Sequence, residues 1–306
     1  MEKQMTTEQQ KSTSYKVVDI LLILWMILPF VAAVVLKVLT APATEGISVS
    51  GSQIYCTLPL PLGGLPITES QVVSWMVILS VIGLCLYLTH GIAVVPNSKR
   101  QLIAEMLVEK CEGFVGDNMG ARFVEGFGPF VAAIMVLSAL SSLSSLLGLH
   151  PPTSDINVVA GWAILVFALI TFYKLKGGFL NYLKGFGDPI PLFAPFNVIS
   201  EVATPISMSF RHYGNVLSGV VISTLISAAL QGLSGLLLGW LPGFLGEFPF
   251  LEIGLPAILS LYFDLFSGLL QAFIFAMLTM LYISSGFPEE AYEARVAKRK
   301  AKKAQA

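Results

Sequence analysis

Long apolar stretches alternate with short polar connections along almost the whole chain. Residues 20–36, 72–95, 127–149, 158–173, 197–230 and 251–283 each hold enough consecutive apolar side chains to cross a hydrocarbon core of about 30 Å. Backbone amides find no water at that depth, so each stretch must be a helix that satisfies its own hydrogen bonds. The pattern predicts an all-α polytopic membrane protein with six spans. Residues 97–124 read differently. Ile103, Met106, Leu107, Cys111, Phe114, Val115 and Met119 recur at three- and four-residue spacing, while Lys99, Glu105, Glu109, Lys110, Glu112 and Asp117 fall mostly elsewhere around the helix. That period predicts an amphipathic helix lying along the membrane surface. Residues 177–195 are broken by Gly177, Gly178, Gly185, Gly187, Pro189, Pro191 and Pro195. They cannot form one helix, and a short interfacial hairpin is expected before the fifth span.

The placement of charge orients the spans. Residues 41–71, 150–157 and 231–254 contain no Lys or Arg. The other connections carry Lys99, Arg100, Lys110 and Arg122, then Lys174, Lys176 and Lys184, and finally the tail with Arg295, Lys298, Arg299, Lys300, Lys302 and Lys303. Positive charge stays on the cytoplasmic side, so both termini are expected inside. The chain divides into residues 1–40 (tail and first span), 41–71 (outside loop), 72–285 (membrane domain) and 286–306 (basic cytoplasmic tail). The first span has a second reading, because Lys3, Lys11 and Lys16 followed by an apolar run and Thr40-Ala41-Pro42-Ala43 also fit a cleaved secretory signal. Its length favours an uncleaved anchor. Cleavage would leave five spans and an outside amino terminus.

Composition agrees with a membrane setting, at 55% hydrophobic and 12% charged over 306 residues, and the net charge of -1 says little about partners. Cys56, Cys85 and Cys111 are too scattered for a disulfide framework or a metal site. No Walker-type loop, Cys/His cluster or nucleophile constellation occurs, so neither nucleotide hydrolysis, nor a cofactor, nor a nucleic-acid partner is expected of this chain.

The chemistry concentrates on the last two spans. Arg211 is the one Lys or Arg between Lys184 and Arg295, and an arginine near mid-membrane costs roughly 2.5 to 3.5 kcal/mol on insertion scales. At about 100° per residue, Glu201, Thr204, Ser207, Arg211, Asn215 and Ser218 share one third of the helix circumference. Ser260, Asp264, Ser267, Gln271 and Tyr282 share one face of the last span. Two long polar-striped helices, about 197–230 and 251–283, are expected to form a tilted hairpin. Arg211 and Asp264 could be a buried structural ion pair. The surplus of hydroxyl and amide groups points instead to a water-filled proton or ion route.

Ser207-Met208-Ser209-Phe210-Arg211-His212-Tyr213-Gly214-Asn215 resembles the Ser-Leu-x-Leu-Arg-Leu-Phe-Gly-Asn signature of subunit a of F-type ATP synthase. Leu270-Gln271-Ala272-Phe273-Ile274-Phe275 is similar to the same family's last-helix motif, and residues 191–201 resemble its Pro-Leu-Asn-x-Ile-x-Glu approach to the fifth helix. The resemblance covers roughly residues 70–285. It implies a non-catalytic stator in a bacterial plasma membrane that faces a ring of c subunits, with b-type peripheral stalk subunits and the rest of the complex as partners. Arg211 would meet the ring's ion-binding carboxylate. Asn215, Asp264, Gln271, Ser207 and Ser267 would belong near the arginine and the outward half-channel, and Glu201, Asn197, Ser200 and Thr204 would line the cytoplasmic exit. The proton is the expected ion, although the ring site rather than this chain is expected to decide between H⁺ and Na⁺.

Two departures from the family pattern stand out. Nine residues after the arginine, where many members carry Glu or His, this chain has Val220, so Asp264 is expected to act alone at that depth. His212 replaces a usual leucine and is expected to pack on the ring edge or lipid flank rather than relay protons. His90 and His150 read as interfacial polar residues. Glu247 and Glu252 either attract cations to the channel mouth or belong to an ordinary solvated loop, and the basic tail is expected to lie solvated against anionic lipid. A secondary transporter with a mid-membrane Arg/Asp site is the alternative, disfavoured because the charged helices have no counterpart in the first half.

Overall fold

The computed structural model describes residues 2–40, 51–59, 64–96, 98–187, 190–240, 251 and 254–304. Six helices among them are long and apolar enough to cross a membrane: Tyr15–Thr40, Glu69–Thr89, Ala121–Leu147, Ile156–Leu175, Pro191–Leu238 and Ile258–Gly286. In chain order the helices are α1 (Glu2–Thr40), α2 (Glu69–Thr89), α3 (Lys99–Met119), α4 (Ala121–Leu143), α5 (Ile156–Leu175), α6 (Phe179–Gly185), α7 (Ala194–Leu238), α8 (Leu255–Ser260), α9 (Gly268–Gly286) and α10 (Glu289–Ala304). Leu261–Ser267, between α8 and α9, is π-helical. Three starts are fixed by side-chain caps: the Thr68, Ser98 and Asp155 oxygens accept from the backbone N–H groups of Gln71, Gln101 and Asn157.

The core lies between α4, α5, α7 and α9. Phe127, Val131 and Ile134 pack with Val166, Ile170, Met208, Phe275, Ala276 and Met280, and Val115 and Met119 of α3 join them from below. A smaller cluster of Ala33, Val73, Val77 and Leu149 joins α1 and α2 to the bundle. Asp19 pairs with Arg100 at 2.6 Å and with His90 at 3.0 Å, Lys37 with Glu69 at 2.9 Å, and Trp25 Nε1 donates to the Leu79 carbonyl at 3.1 Å.

Gly268 and Gly219 are two of the glycines at which neighbouring segments pack too closely for a side chain. A Cβ at Gly268 would sit 2.7 Å from Ser142 Cβ on α4, and one at Gly219 would sit 2.9 Å from Phe263 Cβ. Gly268→Val should therefore push the last helix off α4 at an overpacking cost of about 1–3 kcal/mol, seen as loss of this chain from the detergent-extracted membrane complex. Gly214→Ala, which meets open space, should leave the yield unchanged.

The structure departs from the sequence reading in several places. The loop at 41–71 contains an antiparallel hairpin, β1 (Ile54–Leu58) with β2 (Leu65–Thr68). Helix α7 continues to Leu238 rather than 230, and α2 stops at Thr89 rather than 95. The amphipathic helix forms, but Val115 and Met119 at its C-terminal end are buried in the core while Ile103, Met106 and Leu107 are exposed. The tail is a helix whose first two turns dock on the bundle: Arg122 bridges Glu289 at 3.3 Å and Glu293 at 2.9 Å. Glu247 and Glu252 lie outside the described residues.

With 45 residues at 1.5 Å each, α7 is about 68 Å long. A core of about 30 Å cannot hold it upright, so it crosses obliquely.

Candidate functional site

Helix α7 has two unlike faces. Met208, Ser209, His212 and Gly219 are buried against the bundle, whereas Ser207, Arg211, Asn215 and Ser218 are exposed in one row at four- and three-residue steps. Ile206, Phe210 and Leu225 flank that row, at 50%, 61% and 59% exposure. The polar row thus runs along an outer, apolar surface. Arg211 has no ion pair or hydrogen bond among the described residues, so the structural pair with Asp264 does not form.

Asn215 Nδ2 donates to Gln271 Oε1 at 2.7 Å, and Gln271 is otherwise fully buried in α9. This bond ties the arginine-bearing helix to the last helix one turn from Arg211. Asp264 lies in the π-helical turn, half-buried, beside the hydroxyls of Ser145 and Ser260. A π turn widens the helix and re-aims its side chains, and such turns recur at functional positions. Ser267 is half-buried at the end of the same turn. Behind it lies a run of buried hydroxyls, Ser138, Ser141, Ser142 and Ser144, with Ser142 bonded to Thr153 at 3.2 Å. The sequence reading passed over this run, although five serines within eight apolar-flanked residues were a visible signal.

A second polar centre sits at the end of the bundle that carries the basic residues. Lys174 Nζ lies 2.6 Å from Glu201 Oε2, and Glu201 Oε1 is buried without a hydrogen-bond partner among the described residues. Gly286 makes the pair possible, since a Cβ there would sit 2.7 Å from Lys174 Cε. Two adjoining cavities of about 440 and 270 Å³ share Lys174, Ser200, Glu201, Ser285 and Gly286. Asn197 and Tyr182 line the first, and Thr204 and Tyr282 the second. Asn197 Nδ2 also donates to the Phe186 carbonyl at 2.8 Å. Burial, and then the Glu201 carboxylate, raise the Tyr182 phenol above its ordinary pKa. The sequence reading treated Lys174 only as a loop charge, and nothing in its local sequence announces a partner 27 residues away.

The expected residues therefore fall into two groups on either side of the exposed arginine. Asn197, Ser200, Glu201 and Thr204 form the cavity at the basic end. Asn215, Asp264, Ser267 and Gln271 cluster where α7 meets the last helix. His212 is a correction: it is fully buried, not on a lipid or ring flank. Its Nε2 is 3.3 Å from Ser138 Oγ, its ring packs edge-on against Trp162 and Phe275, and its Nδ1 has no partner. Helices α4 and α5 cover the side of α7 that the sequence left open. His90 pairs with Asp19. His150 meets Ser154 Oγ at 2.9 Å, and burial holds its pKa below the usual histidine range.

The ATP synthase A chain family matches residues 71–284 of this chain. Among curated relatives, "ATP synthase subunit a, sodium ion specific" of Propionigenium modestum is 28% identical over 249 residues, covering 75% of this chain and 77% of that protein. "ATP synthase subunit a" of Legionella pneumophila (strain Philadelphia 1) is 29% identical, over 74% of this chain and 89% of the relative. "ATP synthase subunit a 2" of a Bradyrhizobium species is 28% identical, over 76% and 95%.

Proposed function

From the premise that this chain belongs to the ATP synthase A chain family, we propose that it is the proton-conducting stator of a rotary F-type complex. It would provide two half-channels that meet at Arg211. The chain is an ion-translocating, non-catalytic, multi-pass membrane subunit of that complex. The observation that carries the finer reading is a guanidinium on the outer face of α7, without a partner among the described residues, between two separate polar centres.

On this reading the exposed row of α7 faces the c-subunit ring. Arg211 lowers the pKa of each ring carboxylate that reaches it, which releases the ion. Its charge also bars direct passage between the two centres. Arginine suits the role because it stays protonated where water is scarce. Ions enter along Asp264 and Ser267 near the Asn215–Gln271 bond, and leave by the cavity of Glu201, Asn197, Ser200 and Thr204. Lys174 pairs with Glu201 at 2.6 Å in that exit. Ser207, one turn before Arg211, lies on the path between them. The basic end of the bundle and the C-terminus face the cytoplasm of a bacterial plasma membrane, and b-type stalk subunits hold the chain against rotation. The ion pairs of Asp19 and Lys37, near the two ends of the span Tyr15–Thr40, support its retention as an anchor.

Cysteines placed singly at Ser200 and Ser267, in a chain whose Cys56, Cys85 and Cys111 are replaced, should react with small membrane-impermeant thiol reagents from opposite faces of sealed vesicles. Labelling of both from one face would remove the two-channel layout. With the proton as the ion, ATP-driven acidification should proceed in Na⁺-free medium, and a requirement for Na⁺ would overturn the choice of ion.

A further inference from the structure

We propose that the cleft between the end of α5 and the tail helix α10 binds a phosphate group, of the kind carried by an anionic phospholipid headgroup. The cleft has a volume of about 300 Å³ and is lined by Lys176, Tyr292, Arg295 and Val296. It is separate from the ion path, and its tail-helix wall lies beyond the matched residues 71–284.

Two cations converge here. Arg295 Nη1 donates to the Lys176 carbonyl at 3.1 Å. It reaches that carbonyl by passing over Gly178, whose φ of +113° and missing side chain leave room; a Cβ there would sit 3.4 Å from Nη1. The Lys176 ammonium lies 4.1 Å from the centroid of the Tyr173 ring and 5.3 Å from that of Phe172. Neither cation has a carboxylate partner among the described residues. Of the three acids of the tail helix, Glu289 and Glu293 both bridge Arg122, and Glu290 is exposed and forms no ion pair with either cation. Two like charges held together without a counter-ion repel each other, and an anion would relieve that repulsion.

The donor set suits phosphate. A guanidinium can grip two oxygens at once, an ammonium supplies a point charge, and the Tyr292 hydroxyl can donate to a third oxygen. The level of the cleft favours a lipid source. Lys176 directly follows the membrane-crossing helix Ile156–Leu175, so the cleft opens at the membrane boundary, where basic pockets take anionic headgroups. Phe172, Phe179 and Leu180 nearby are 57%, 63% and 74% exposed, an apolar surface along which acyl chains can lie.

The test uses the purified whole complex in neutral detergent. Phosphatidylglycerol bound to this chain is measured by native mass spectrometry, against phosphatidylcholine and against added inorganic phosphate. Lys176→Ala/Arg295→Ala should weaken phosphatidylglycerol binding about tenfold or more, as expected from removing two headgroup-facing cations. Lys298→Ala/Lys300→Ala, which removes the same charge from the tail outside the cleft, should change it less than about twofold. Displacement of the lipid by millimolar inorganic phosphate would support the same site with a soluble source. Equal weakening in both double variants, or none in either, would overturn the proposal. Arg295→Lys, which keeps the charge and is less exposed to assembly defects, should retain most of the binding, and its failure to do so in an intact complex would also count against the site.

Discussion

Arg211→Ala abolishes ATP-driven ion pumping in proteoliposomes while the complex still assembles. The expected fall is to the level of vesicles without enzyme, at least a hundredfold, because on the proposed stator reading the ring carboxylates would lose the cation that discharges them; a loss of that size corresponds to about 2.7 kcal/mol or more of differential stabilisation. Assembly should survive because the side chain is exposed and makes no bond to another side chain among the described residues. A structural ion pair would behave oppositely, since breaking a buried pair destabilises by about 3–5 kcal/mol. Pumping at half the normal rate would end the stator reading, and loss of the chain from the membrane would assign Arg211 to folding. Arg211→Lys should recover little, because an ammonium lacks the forked geometry and loses its proton more readily when desolvated.

The second large effect is expected at Asp264. Asp264→Asn keeps the size of the side chain and its bonds to the hydroxyls of Ser145 and Ser260, but an amide cannot carry a proton onward. Pumping should drop at least tenfold with the complex intact. Adding Val220→Glu should then restore part of the flux. Gly219 abuts Phe263 so closely that a Cβ would lie 2.9 Å away, which puts the next residues along, Val220 and Asp264, at one level of the bundle. Near-normal pumping in Asp264→Asn would reduce Asp264 to a packing residue. Failure of the rescue alone would withdraw only the shared cavity for Val220. The readout in both cases is the initial rate of dye quenching against a matched ATP hydrolysis rate.

The spans were legible in the sequence because a stretch of about 20 apolar residues has one workable backbone in a bilayer. The polar rows were legible because their spacing follows the helical period. Contacts between distant segments were not. His212 was correctly placed about 100° from Arg211, but only tertiary packing reveals that α4 and α5 occupy that side. The π turn at Leu261–Ser267 leaves no mark in composition, so Asp264 was read on an ordinary helix. The hairpin at 54–68 was hidden by the Pro- and Gly-rich stretch between its strands, which reads as a loop. The tail helix was read as solvated because the acidic start that pairs with Arg122 is separated from it by more than 160 residues and five helices.

The obliquity of α7 has a mechanical consequence. A rod about 68 Å long is more than twice the thickness of a core of about 30 Å, so along a leaning axis it runs sideways as well as across. Glu201 and Asn215 are 14 residues apart on this rod, which places them about 21 Å apart along its axis and therefore well apart in the plane of the membrane. A carrier loaded beside one and unloaded beside the other must travel laterally as well as change its access from one face to the other. On the proposed stator reading the helix is an inclined ramp, along which crossing the bilayer and turning a neighbouring rotor would be a single displacement.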